Sequence, residues 1–247
     1  EPTCVIIKHN NPCGVASAKK IDKAFLKALG SDPISSFGGV VLLNRNINAI
    51  LAKLINNHFF EVIVSPKFKE EVVEILKKRK NLIIVNSLKL GKQNKTEIRS
   101  VHGGILSQEV NSFKITKSAI KLMSLKKVSA KLLEDLLFAY KVAKHVKSNA
   151  IVFAKNKQTI GIGAGQMSRL DSTRIAILKY NDLFKNDSFV CASDAFFPFT
   201  DNLKKLLKLN CKAIIQPGGS RNDKIIIDYA IKNKASLYFI KSRVFKH

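Results

Sequence analysis

The chain has 247 residues, 46% of them apolar, with few Pro and Gly, which excludes a disordered polymer and leaves room for one large domain or two smaller ones. The net charge of +25 is mostly Lys spread over the whole length, with no aromatic-rich basic stripe of the kind that stacks bases. A nucleic-acid partner is therefore disfavoured, and the charge is expected to draw in phosphorylated or carboxylate-bearing small molecules.

No apolar run approaches the length of a membrane span, and the first residues lack a signal-peptide pattern. The chain starts without Met and enters directly on a strand, which reads as a fragment or a processed product. Four scattered cysteines, Cys4, Cys13, Cys191 and Cys211, form no C-x-x-C and suit a reducing cytoplasm.

In chain order, Cys4 to Ile7 reads as a short buried strand. Lys8-His9-Asn10-Asn11-Pro12-Cys13-Gly14 follows, and Pro12 and Gly14 predict a tight loop. An imidazole able to take a proton near neutral pH and an ammonium able to hold developing negative charge then stand side by side at a strand end, where open α/β sheets bind ligands. A surface Lys beside a structural His in a turn is the other reading of the same residues.

Lys20 to Leu29 predicts a helix that stops at Gly30. Ser31 to Gly39 is a loop of small residues before the strand Val40 to Leu43. A helix from Ile47 to Asn56, a strand from Val62 to Val64, a helix from Lys69 to Lys80 and a strand from Leu82 to Val85 complete an alternation typical of an α/β layer fold. Gly91 to Glu97 reads as a polar loop, and Val101 to Gln108 as a strand broken by Gly103-Gly104. The longest helical pattern runs from Val128 to Val146.

Asn111 to Lys127 is the candidate border between two lobes, residues 1–125 and 126–247. The second opens on an apolar strand, Asn149 to Ala154, turns at Asn156-Lys157 and returns from Thr159 to Ile162. The run Gly161-Ile162-Gly163-Ala164-Gly165 is G-x-G-x-G behind a hairpin, not the dinucleotide G-x-G-x-x-G of a βαβ unit. It predicts a glycine loop ahead of a helix, with Arg169 available to a ligand, or else a packing loop with Arg169 in solvent. A helix from Ser172 to Tyr180, a strand from Val190 to Ala192, a helix ending at Leu209, a strand from Ala213 to Ile215, a helix from Lys224 to Asn233 and a strand from Leu237 to Ile240 follow. No repeat is visible at short period.

The stretch Asp194 to Asn202 sets three Phe around Pro198 beside Asp194 and Asp201, an aromatic face suited to a flat, amine-bearing heterocycle or simply to the core. Gln216-Pro217-Gly218-Gly219-Ser220-Arg221 is a similar strand end. His9, His58, His102, His145 and His247 are not paired with Cys at zinc-ligand spacing, so no metal site is expected.

These motifs together resemble the family of bifunctional purine-biosynthesis enzymes, in its transformylase part. The resemblance rests on Lys8 to Gly14, Asp32-Pro33, Ser36 to Gly39, Lys147 to Ala150, Gly161 to Arg169, Ser193 to Asn202 and Gln216 to Ser220. It implies two tandem cytidine-deaminase-like α/β lobes of three layers, free of zinc. It also implies a cytoplasmic homodimer with its sites at the interface. The implied reaction moves a formyl group from the co-substrate 10-formyltetrahydrofolate to the 5-amine of the aminoimidazole carboxamide ribotide (AICAR), giving FAICAR.

By motif match, His9 is implied to take the proton of the amine. Lys8 is implied to stabilise the transition state and assist the departing folate nitrogen, and Asn149 to orient the reacting groups. Gly38, Glu61, Arg169, Leu170, Phe196, Asp201, Ser220 and Arg221 fall on ligand-contacting positions, and Arg243 is implied to hold the phosphate.

The family's cyclohydrolase domain has no counterpart in these residues, so ring closure to inosinate is not assigned. An Arg-Tyr-Gly segment of the transformylase part would lie upstream of Glu1. The stretch Phe239 to Val244 departs from the family's usual Phe-Thr-Gly-Met-Arg-His. A basic nucleic-acid-binding protein on the same scaffold and an inactive remnant remain the competing readings. A salt titration separates the first of these, because phosphate-backbone binding falls steeply with salt.

Overall fold

The structure is a computed structural model that describes residues 1–89 and 95–246. The first half runs β1 (Thr3–Lys8), β2 (Asn11–Ser17), α1 (Ile21–Ser31), β3 (Gly39–Leu43), α2 (Ala49–Asn56), β4 (Phe60–Ser65), α3 (Glu70–Lys77) and β5 (Ile83–Asn86). A separate two-stranded hairpin, β6 (Thr96–Val101) and β7 (Gly104–Glu109), is followed by β8 (Ile120–Leu122) and α4 (Ala130–Ala143). The second half runs β9 (Ile151–Lys155), β10 (Gln158–Gly163), α5 (Arg169–Leu183), β11 (Phe189–Ser193), α6 (Asp201–Lys208), β12 (Cys211–Pro217), α7 (Asp223–Lys232) and β13 (Ser236–Ile240).

Both halves therefore follow one order, β-β-α-β-α-β-α-β. They join edge to edge in a single sheet of eleven strands, β5-β4-β3-β1-β2-β10-β9-β11-β12-β13-β8. The order reads outward from the β2–β10 seam in the same way on both sides. The sheet is mixed: parallel in its outer arms, β3-β4-β5 and β11-β12-β13, and antiparallel through the middle.

Period-two alternation sorts the side chains. In β1, Cys4 and Ile6 point into a core closed by Phe25, Leu51, Ile55 and Leu76 of α1, α2 and α3. In β9, Ile151 and Phe153 do the same beneath α5, α6 and α7. The opposite face of the second half is closed by α4, whose Leu136, Ala139, Tyr140 and Ala143 are fully buried against Val152, Val190 and Ile215.

Several sequence expectations need correction. Pro12 and Gly14 do not form a loop. They lie in β2, and the chain reverses at His9 and Asn10, both at positive φ (51° and 62°). Asn156 and Lys157 close the β9–β10 hairpin in the same way (φ 50° and 54°). Two residues in the left-handed region match the twist of the flanking strands.

Gly14 is in its strand for another reason. A Cβ there would stand 2.0 Å from the Ala28 carbonyl oxygen of α1. Gly163 answers it in β10, where a Cβ would stand 1.8 Å from the Ser172 carbonyl oxygen of α5. The first two glycines of the G-x-G-x-G run are thus strand residues that let a helix lie directly on the sheet, not a ligand-binding loop. Gly30 does not stop α1, which continues to Ser31. Val101 to Gln108 is not one broken strand but the turn and second arm of the β6–β7 hairpin, with Gly103 at φ +77°. Most of the polar loop expected at Gly91 to Glu97, together with His247, lies outside the described residues.

Candidate active site

The strand ends that meet the seam carry the expected residues. The β1–β2 turn presents His9, exposed, and Lys8, half-buried. The Lys8 ammonium donates to the Phe37 carbonyl at 2.5 Å and lies 6.0 Å from the centroid of the Phe37 ring. Gly38 sits beside it at φ +70°, and a Cβ there would stand 3.8 Å from both Lys8 Nζ and Glu61 Oε1. Lys8, Gly38 and Glu61 therefore share one corner.

Lys8 and His9 also line a cleft of about 470 Å³ that crosses the seam, with Asp32 and Lys179 on its far wall. Asp32 and Lys179 pair at 2.8 Å, tying the loop after α1 to α5. Burial alone would raise the Asp32 carboxyl, but bonds from Lys179 and Ser35 outweigh it and hold it below its ordinary value. Burial pushes the neighbouring Cys13 thiol up, which keeps it protonated and inert.

A carboxyl depressed on folding stabilises the fold above its unfolded pKa of about 4 and loses that contribution as pH falls through its lower folded pKa. Asp32→Asn is expected to cost up to about 1 kcal/mol at pH 7, because Lys179 is partly solvated. Denaturant titrations of variant and parent should converge toward pH 3. An equal difference at both pH values would contradict the assignment.

On the other side of the seam, Asn149 precedes β9 and Arg169 opens α5. The guanidinium donates through Nη1 to Asn149 Oδ1 at 2.6 Å, through Nε to Ser193 Oγ at 2.9 Å and through Nη2 to Asp194 Oδ1 at 2.7 Å. The Arg169 side chain is 9% exposed and that of Asp194 is fully buried. Burial pulls the guanidinium below its ordinary value and the Asp194 carboxylate works against that pull. The Asn149 amide donates to the Gln166 and Met167 carbonyls, and Ser148 Oγ donates to Asp194 Oδ2 at 2.5 Å.

Arg169 is thus not in solvent: each of its three nitrogens donates a bond inside the protein. It is a strut that fixes Asn149. Ser148, Ser193 and Asp194 complete this network. All three lie in stretches that the sequence singles out, Lys147 to Ala150 and Ser193 to Asn202, but no spacing there links them to Arg169.

The hairpin turn and this network are in contact. Lys147 N–H donates to Asn11 Oδ1 at 2.9 Å, and the Lys246 ammonium reaches the Asn10 and His145 carbonyls. The terminal segment then crosses the network, with Val244 N–H donating to the Asp194 carbonyl and Ser148 N–H to the Lys246 carbonyl. This brings Arg243 over the Phe196 ring at 5.0 Å, with its Nη2 3.6 Å from where a Gly219 Cβ would be.

Asp223 accepts from the N–H groups of Gly219 and Ser220, shaping that turn. Phe197 is buried in the core, Phe199 is exposed, and only Phe196 stacks with a cation. Leu170 is half-buried beside Arg169, while Asp201 and Arg221 are exposed. Among the described residues, no group of three His, Cys, Asp or Glu could hold a metal ion.

A family model described as AICARFT/IMPCHase bienzyme matches residues 1–179. The chain belongs to that family.

Its relatives include the bifunctional purine biosynthesis protein PurH of Thermoanaerobacter sp. (strain X514), 47% identical over 247 residues. PurH of Caldicellulosiruptor bescii is 45% identical over 251 residues, and PurH of Buchnera aphidicola subsp. Schizaphis graminum 42% identical over 251. Each match covers all of this chain but 48% of the relative, so the chain spans about half the length of these bienzymes. Within this family member, the Lys8–His9 turn, Asn149 and Arg169 fall inside the stretch matched by the family model. Phe196, Ser220 and Arg243 fall beyond it but inside the alignments to the PurH relatives.

Proposed function

We propose that this chain forms the formyl-transferring part of its bienzyme, moving the formyl group of 10-formyltetrahydrofolate to the 5-amine of AICAR to give FAICAR. The observation that carries the reading is the turn itself. An exposed imidazole and a held ammonium sit together at the mouth of a cleft that crosses the seam.

The reaction asks for these groups. An aromatic amine beside a carboxamide is a weak nucleophile, so it needs a base and strict placement. The amine nitrogen bonds to the formyl carbon while His9 takes the amine proton. Lys8 steadies the oxyanion that forms, and then gives a proton to the folate nitrogen as the carbon–nitrogen bond breaks. Proton return from His9 to Lys8, directly or through solvent, restores both groups. Asn149, fixed by Arg169, orients the acceptor. Phe196 offers a face for the heterocycle, and Arg243, beside Gly219 and Ser220, takes the ribotide phosphate. Gly38 leaves room for backbone approach near Glu61, and Leu170, Asp201 and Arg221 line the approaches. The working unit is a cytoplasmic homodimer, and no metal takes part.

The functional test uses a chimera in which these 247 residues replace the matching segment of the Thermoanaerobacter PurH. Arg243→Ala there should raise the KM for AICAR about 10- to 100-fold, the loss of one charge-assisted bond, with kcat little changed. An unchanged KM would remove Arg243 from the phosphate site. Lys8→Ala should instead lower kcat.

A further inference from the structure

Helix α5 carries one residue for each half of the site. Arg169, in its first turn, fixes Asn149. Lys179, about three turns and 15 Å further along the axis, reaches across the seam into the first half. Its ammonium meets Asp32 Oδ2 at 2.8 Å and donates to Ser35 Oγ at 3.4 Å. Between these two points α5 is seated directly on β10. A Cβ on Gly163 would stand 1.8 Å from the Ser172 carbonyl oxygen, and one on Gly161 would stand 2.4 Å from that of Ala176. Glycines one strand repeat apart thus meet carbonyls one helical turn apart, with no side chain between helix and sheet.

The loop that Lys179 grasps is tightly tied within itself. Asp32 Oδ1 accepts from the Ser35 N–H at 3.0 Å, and the Asp32 carbonyl accepts from the Ser36 N–H at 3.1 Å and from Ser36 Oγ at 2.8 Å. Ser36 is buried, and its carbonyl accepts from the Gly39 N–H at 3.0 Å. The carbonyl that follows, that of Phe37, is the acceptor of the Lys8 ammonium. A run of hydrogen bonds therefore leads from α5 through residues 32–37 to Lys8.

We propose that Lys179 is a positioning residue for formyl transfer: through residues 32–37 it holds the Lys8 ammonium in a set place relative to Asn149, with α5 as the bar common to both. The part Lys8 plays in the reaction rests on the function proposed above; that Lys179 fixes its place rests on the contacts alone. The two groups come from opposite halves of the sheet, so their mutual placement needs a tie across the seam. A misplacement of about 1 Å is enough to cost about 100-fold in rate. Lys179 touches no reacting group in this scheme and acts through the loop.

The test uses the PurH chimera with Lys179→Met and Asp32→Asn made together. The pair strands no carboxylate, and the new amide oxygen can still accept from the Ser35 N–H. The kcat should fall about 10- to 100-fold with the KM for AICAR little changed. Lys179→Arg, which keeps the charge and the reach to Asp32, should recover most of that rate. A second readout needs no turnover: the rate of reductive methylation of Lys8, followed by mass spectrometry against the exposed Lys224 of the same sample. Lys8 should label at least about 5-fold faster in the double variant than in the parent, with Lys224 unchanged.

Parental labelling of Lys8 in the folded double variant would overturn the proposal, and so would a parental kcat. A raised KM at unchanged kcat would also overturn it, by making Lys179 a ligand contact. Urea denaturation checks the fold, and Lys179→Gln alone repeats both measurements should the double variant fold poorly. If the parent chimera itself transfers no formyl group, the function proposed above falls, while the labelling still decides whether Lys179 holds Lys8.

Discussion

Replacing His9 by Ala in the chimera should lower kcat for formyl transfer by about two to four orders of magnitude, the range that a positioned general base supplies. The KM for AICAR should change little. His9 stands on an exposed turn, is donor or acceptor in no hydrogen bond among the described residues, and belongs to no core, so its loss should leave the fold intact. That exposure makes the experiment clean: a slow variant with an unchanged melting temperature has lost chemistry rather than structure. Near-parental turnover would take the proton-acceptor role away from His9. A matching collapse of stability would turn it into a structural residue.

The second large effect is expected in the buried network. Asp194→Ala leaves the Arg169 guanidinium almost wholly enclosed with no counter-charge, a change that typically costs about 3–5 kcal/mol. It also removes the acceptor of Ser148 Oγ. Replacing both charges together, as Arg169→Met with Asp194→Leu, should recover much of that stability, because an apolar pair of similar volume avoids the desolvation of two ions. The double variant should nonetheless transfer formyl groups poorly, since Asn149 loses the bond from Arg169 that fixes its Oδ1. Recovery of stability together with activity would show that Asn149 needs no strut. Urea denaturation and steady-state rates on the same samples separate the two outcomes.

The sequence made the strands and helices readable wherever period and punctuation agree. The apolar run Cys4 to Ile7 and the stripe from Leu132 to Val142 mark their elements within a few residues. It misled where one residue type serves two ends. Pro12 and Gly14 read as a loop, yet Gly14 is a strand residue because the α1 backbone passes within 2.0 Å of where a Cβ would be. The turn falls on His9 and Asn10 instead, and only φ reveals it. The same ambiguity hid the purpose of Gly161 and Gly163.

Arg169 was visible as a residue of interest, but its partner Asp194 lies 25 positions further along the chain, and no local spacing links the two. Sequence alone therefore leaves Arg169 between a ligand and solvent, whereas the fold ties it to Asn149, Ser193 and Asp194. No repeat of residues marks the twofold repetition, which the family resemblance alone implies as tandem lobes: the halves share an order of elements and a sheet order, not a run of residues.

The reading as a formyl transferase is tested most directly by following the transferred carbon. The chimera is mixed with AICAR and 10-formyltetrahydrofolate carrying a carbon-13 formyl group, and the label is observed by NMR through a single turnover. The account predicts that the formyl resonance leaves the folate nitrogen and appears on the ribotide 5-amine, with the His9→Ala chimera slower by about two to four orders of magnitude. A folded chimera that binds both substrates yet leaves the label on the folate would contradict it, as would transfer at the same rate with and without His9.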